Sequence, residues 1–117
     1  DAGAEAIVNI SSMYAVNHRN SPFTTAYQSG VESLTEHFAK KFRGKTRVNA
    51  VRPGVCATDM VFGNYSPQEI EVFLDAIPDR KLIYPEEIGQ VVYFLATNKL
   101  LTGQIITADK GTTLHGD

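Results

Sequence analysis

The chain has 117 residues and a mass of 12.8 kDa, with 43% hydrophobic and 21% charged residues, ordinary values for one globular domain. Eleven Lys+Arg against thirteen Asp+Glu give a net charge of -2, which speaks against a nucleic-acid binder, because those carry a basic excess. No apolar run approaches the roughly 18 residues that a bilayer span needs, so no membrane association is expected. Cys56 is the single cysteine, which rules out an internal disulfide framework and fits a reducing cytoplasm. His18, His37 and His115 are too scattered to join it in a metal site. Residues Asp1 to Glu5 lack the positive region of a secretory leader, so the expected location is cytoplasmic.

In chain order, Ala6-Ile7-Val8-Asn9-Ile10 is a β-branched run closed by Ser11-Ser12, read as a strand buried on both faces. Asn17 to Pro22 has loop chemistry. A helix follows from about Thr24 to Phe42. Val31, Leu34, Phe38 and Phe42 form its apolar stripe, a candidate for core or subunit interface. Gly30 inside it suggests close packing, and Gly44 a helix end. Arg47 to Arg52 is a second strand, stopped by Pro53-Gly54. Ser66-Pro67-Gln68-Glu69 has the form of a capping box opening a helix to about Ala76, with Ile70, Phe73 and Leu74 inward. Tyr84-Pro85-Glu86-Glu87 opens another, with Ile88, Val91, Val92 and Leu95 as its stripe. Gln104 to Ala108 is a last strand. This order, β-α-β-α-α-β, predicts a small three-strand parallel sheet with flanking helices and right-handed crossovers, and sheet edges that need cover.

Four features resemble the short-chain dehydrogenase/reductases, particularly the 3-oxoacyl-carrier-protein reductases. They are Ile7 to Ser12, Tyr27 at the start of a long helix 15 residues later, Val48-Asn49-Ala50-Val51-Arg52-Pro53-Gly54-Val55-Cys56-Ala57-Thr58, and Pro85 to Ile88 with Leu101 to Asp109. The resemblance covers residues 1–117 and implies the C-terminal half of a doubly wound, Rossmann-like fold. The N-terminal cofactor-binding half, with its Gly-rich turn for the pyrophosphate, is expected to be absent.

By that resemblance, the implied activity is NAD(P)-dependent interconversion of a small-molecule carbonyl and an alcohol. NAD or NADP would bind only with the missing half. Ser12 would hydrogen-bond the substrate oxygen and Tyr27 would be the general acid. Pro53, Gly54, Val55 and Thr58 would meet the nicotinamide. The family's motif is Y-x-x-x-K, in which the lysine ammonium one turn on favours the phenolate of a group with a pKa of about 10. Here Val31 holds the lysine position, with His18 and Arg19 as candidate replacement cations. Two readings therefore stand side by side: an oxidoreductase completed by another half, or a catalytically weakened interaction subunit that keeps the fold. The resemblance also implies homo-oligomers through the long helix, or pairing with an N-terminal half chain. Cys56, with no histidine beside it, reads as a small buried side chain.

Overall fold

A computed structural model describes residues 5–13 and 22–114. The loop cations His18 and Arg19, and His115, lie outside the described residues. The elements are β1 (Ala6–Ile10), α1 (Pro22–Lys41), β2 (Arg47–Pro53), α2 (Asp59–Asn64), α3 (Pro67–Asp75), α4 (Pro85–Thr97) and β3 (Ile105–Ala108). The three strands form one parallel sheet in the order β1-β2-β3. Ala6 to Ile10 pair with Arg47 to Val51, and Ala50 to Pro53 with Ile105 to Ala108.

Four elements fall where their sequence signals put them. Ser66 accepts from the Glu69 amide while the Glu69 carboxylate accepts from the Ser66 amide, the reciprocal capping box that starts α3. Gly44 takes φ +88° just past α1, a conformation that costs a side chain dearly. Leu95, on the α4 stripe, is fully buried, and β2 is the central strand, with Val48 to Val51 all buried. The helix α1 begins at Pro22 rather than Thr24, using proline's preset φ at its first turn. The short α2 had no sequence expectation; Thr58 caps it by accepting from the Val61 amide.

Three expectations change. β1 is not buried on both faces: Ile7 and Ile10 are exposed. Gly30 has open space around it, so no close packing requires it. The side chains of β2 alternate across the sheet. Arg52 and Val48 meet α1, whereas Arg47 donates to the α4 carbonyls of Leu95 (2.8 Å) and Ala96 (2.6 Å). Both helices pack on β1 and β2, from opposite faces. Both connections step the same way across the sheet, so the crossovers have opposite hands rather than both being right-handed.

The apolar stripe of α1 is not the face turned to the sheet. Glu32, Thr35 and Ala39 are the buried residues of this helix, while Leu34 is 55% exposed. Thr35 accepts from the Asn9 amide (3.0 Å) and donates to the Val31 carbonyl (2.8 Å), which satisfies its buried hydroxyl. Val31, Leu34, Phe38 and Phe42 instead line a groove beside β1, with Ile7, Asn9 and Val48.

Candidate active site

The strands point their carboxyl ends at one rim of the sheet. A cleft of about 490 Å³ opens there, bounded by the Ser11–Met13 turn, the first two turns of α1, the segment after β2, and α2 with α3. Its position follows from parallel pairing, which gathers the strand-ending loops at one rim where such sheets bind ligands.

Ser12 lines this cleft, as do Pro53, Gly54, Val55 and Thr58. The segment after β2 is held in place by three backbone hydrogen bonds, to the end of β3 and to Ile83. The Gly54 amide donates to the Ala108 carbonyl (3.1 Å), and the Ile83 amide to the Val55 carbonyl (3.0 Å). The Ala57 amide donates to the Ile83 carbonyl (2.7 Å). A side chain at Gly54 would meet Asp109 Cβ at 3.0 Å, Asp109 Cα at 3.1 Å and Ile83 Cδ1 at 3.2 Å. Glycine is therefore required at Gly54 by the close approach of the end of β3, on the side away from the cleft. Asp109 is itself buried and accepts from the Gly111 and Thr113 amides at 2.9 Å each.

Tyr27 and Val31 are not brought together with Ser12. Tyr27 is 69% exposed and does not line the cleft, and Val31 lines the groove on the other side of α1. The helix instead turns Thr24 and Gln28 inward, at the same i, i+4 spacing. The reason is rotational: Thr24 and Gln28 continue the buried face of Glu32, Thr35 and Ala39, whereas Tyr27 lies about 100° round the helix from Gln28. Gln28 Oε1 is buried and has no hydrogen-bond partner among the described residues. Sequence reasoning missed this pair because it anchored on the tyrosine. The polar sequence Gln28, Glu32, Thr35 at helical spacing was the available signal.

Behind the cleft lies a partly buried charge cluster that sequence reasoning also missed. Arg52 grips Glu32 with two parallel bonds, Nε to Oε2 at 2.8 Å and Nη2 to Oε1 at 2.7 Å. Ser11 Oγ donates to Glu32 Oε2 at 2.6 Å, and Arg52 Nη1 donates to Thr107 Oγ1 at 2.9 Å. Burial alone would push the Glu32 carboxyl upward; the hydrogen bonds from Arg52 and Ser11, with the Arg52 charge, more than reverse this and hold it below the ordinary glutamate value. Cys56 lines the cleft half-buried, its thiol 3.6 Å from the Gly54 carbonyl. Burial, and then the negative charge of Glu87, push that thiol up, so it is mostly protonated and slow to react at neutral pH.

The family model described as enoyl-(acyl carrier protein) reductase matches residues 2–113 of this sequence. The chain belongs to the short-chain dehydrogenase/reductase family. It is 37% identical over 96% of its length to the cis-4-hydroxycyclohexanecarboxylate dehydrogenase of Sinomonas cyclohexanicum, of which it covers 46%. The 3-oxoacyl-[acyl-carrier protein] reductase structure from Brucella melitensis superposes with a TM-score of 0.83 at 28% identity, over 91% of this chain and 41% of that one. The chain thus spans about half the length of these relatives. A short-chain dehydrogenase/reductase homologue of Bacillus subtilis, YusR, is of comparable length: 30% identity covers 93% of this chain and 84% of that protein. The fold is the family's Rossmann-like α/β sheet, here with three of its strands. Among the described residues no helix is long and apolar enough to cross a membrane, and no group of three His, Cys, Asp or Glu could hold a metal ion.

Proposed function

We propose that this chain is the nicotinamide-side and substrate-side half of an NAD(P)-dependent oxidoreductase acting on small carbonyl compounds and alcohols. One observation carries the reading. Ser12, the Pro53–Val55 turn, Thr58 and the inward face of α1 converge on one cleft at the carboxyl ends of parallel strands. The dehydrogenase and reductase relatives support the same class of chemistry.

The residues of the cleft fit the nicotinamide end of a dinucleotide. The orphaned Gln28 Oε1 is an acceptor, and ribose hydroxyls and the carboxamide amino group are donors. Bound there, the cofactor would supply or accept a hydride. Thr58 and the Val55 backbone would orient the carboxamide, and Ser12 would donate to the substrate oxygen. The pyrophosphate needs a helix N-terminus behind a glycine-rich turn, which the described residues lack. We assign that function, and the choice between NAD and NADP, to a further polypeptide segment, in the same protein or in a paired chain.

A second reading draws on the inward pair of α1. Thr24 and Gln28 carry no group that titrates near neutrality, and Tyr27 is exposed outside the cleft lining. Among the described residues this inward pair offers no acid or base of its own, which supports a subunit that keeps the fold and the binding surface more than the rate.

Titration calorimetry separates these claims. The 117 residues alone are expected to bind neither NADH nor NADPH in the micromolar range, and such binding would overturn the half-site reading. In the cofactor-binding assembly, carbonyl turnover is expected to fall below the roughly 1–10³ s⁻¹ typical of enzymes. The Thr24→Tyr/Gln28→Lys double substitution is expected to raise it about a hundredfold, the lower range for positioned acid-base catalysis. Tyr27→Phe is expected to change nothing. Full native turnover that Tyr27→Phe abolishes would restore Tyr27 as the acid.

A further inference from the structure

We infer that the Ser11–Glu32–Arg52 cluster is the positioning device of the cleft, fixing three separate elements in the arrangement that brings Ser12, Gln28 and the Pro53–Cys56 turn together. Each member stands one step behind a residue of the site. Ser11 precedes Ser12 in the turn after β1. Glu32 lies one helical turn beyond Gln28 on the same face of α1. Arg52 is the residue before Pro53 at the end of β2. A single carboxylate on α1 thus accepts three bonds from the other two elements, with Ser11 at 2.6 Å and the two guanidinium bonds at 2.7 and 2.8 Å. Thr107 accepts the remaining arm of Arg52, which adds β3 to the same junction.

Stability alone does not account for such a cluster. A buried ion pair contributes little more than a well-packed apolar pair of the same volume, because desolvating both charges offsets most of their attraction. What an apolar pair lacks is direction. The two parallel guanidinium bonds fix both the distance and the angle between the middle of α1 and the end of β2, and the Ser11 bond fixes the end of β1 against them. The Asn9–Thr35 bond joins α1 to β1 farther from the rim, so the helix is anchored at two points and the cluster is the one nearer the cleft. Glu32, Arg52 and Ser11 are positioning residues: they act on ligand through the neighbours they hold.

The test uses Cys56 as a reporter, because its thiol faces the cleft within four residues of Arg52. Its alkylation rate by iodoacetamide, mapped by peptide mass, needs neither cofactor nor substrate. In the double variant Glu32→Leu/Arg52→Met, the unfolding temperature is expected to stay close to that of the natural protein. Cys56 alkylation is expected to rise about tenfold, the size of coupling seen between groups in direct contact. Arg52→Lys keeps the charge without the two-pronged grip and is expected to give an intermediate rate. Should the double variant fail to fold, Thr107→Val removes only the outer anchor of Arg52 and is expected to raise the rate about twofold. An unchanged Cys56 rate in folded variants would overturn the proposal and leave the cluster a purely structural tie. The inference concerns the site proposed above, yet the two fail separately: absence of nicotinamide binding in the assembly sinks the oxidoreductase reading and leaves the Cys56 result standing. Where turnover is measurable, the variants are expected to lower kcat and raise KM together, whereas a merely structural tie would lower only the amount of folded protein.

Discussion

The two sides of α1 are built on opposite principles. The sheet-facing side carries Glu32, Thr35 and Ala39, all buried, and the side-chain oxygens of Glu32 and Thr35 all have hydrogen-bond partners. The other side carries Val31, Leu34, Phe38 and Phe42, which line an open groove where Phe38 stacks on Phe42 at 5.7 Å. The hydrophobic side of a helix is usually its inner one. Here the inner side is polar because β1 and β2 offer polar partners at matching heights: Asn9 for Thr35, and Ser11 with Arg52 for Glu32. The partly covered stripe beside β1 is where self-association, or pairing with another half, is expected to act.

Breaking the inner side is expected to have the largest effect. Glu32→Leu alone strands the Arg52 guanidinium and should cost about 2 kcal/mol, measured by denaturant unfolding, because the surviving charge is left partly buried without its partner. If the loss is below about 1 kcal/mol, the inner side is not held by its charges.

Acid acts on the same contact with a definite sign. The folded protein holds the Glu32 carboxyl below its ordinary value, so the unfolded chain takes up the proton first as pH falls. The contribution is complete above the unfolded glutamate value of about 4.3 and is lost as pH drops through the lower folded value. Glu32→Gln is expected to flatten that part of the acid limb of stability, seen as a smaller difference between stabilities measured at neutral pH and in acid.

The outer side should respond in assembly rather than in folding. Phe38→Glu is expected to shift sedimentation toward smaller species while changing unfolding free energy by about 1 kcal/mol or less, because the ring is only partly covered in the single chain. Unchanged sedimentation would mean that the groove takes no partner.

The smallest effect is expected between the two sides, at Gly30. A methyl group there meets nothing within 4 Å, so Gly30→Ala should stabilise the chain by up to about 1 kcal/mol through helix propensity alone. A loss of stability would reveal packing against a surface outside the described residues.

Local signals in the sequence determined the elements of this protein. The capping box at Ser66, the Pro85 start of α4, the Gly44 stop and the β-branched run of β1 each rest on interactions within a few residues, and each stands where it was read. The Pro53-Gly54 stop and the strand before it likewise located the floor of the cleft, because parallel strands carry their loops to one rim. Only the tertiary structure decided which side of α1 faces inward. Hydrophobicity pointed to the Val31–Phe42 stripe and the family motif to Tyr27, but a buried carboxylate is tolerable only beside a partner, and that partner, Arg52, lies 20 residues away in the chain. Once Arg52 and Ser11 bind Glu32, the rotation of the helix is set: Thr24 and Gln28 turn into the cleft and Tyr27 turns to solvent. The packing of α1 and α4 on opposite faces likewise gave the two crossovers opposite hands, since handedness is not written in any local run of residues.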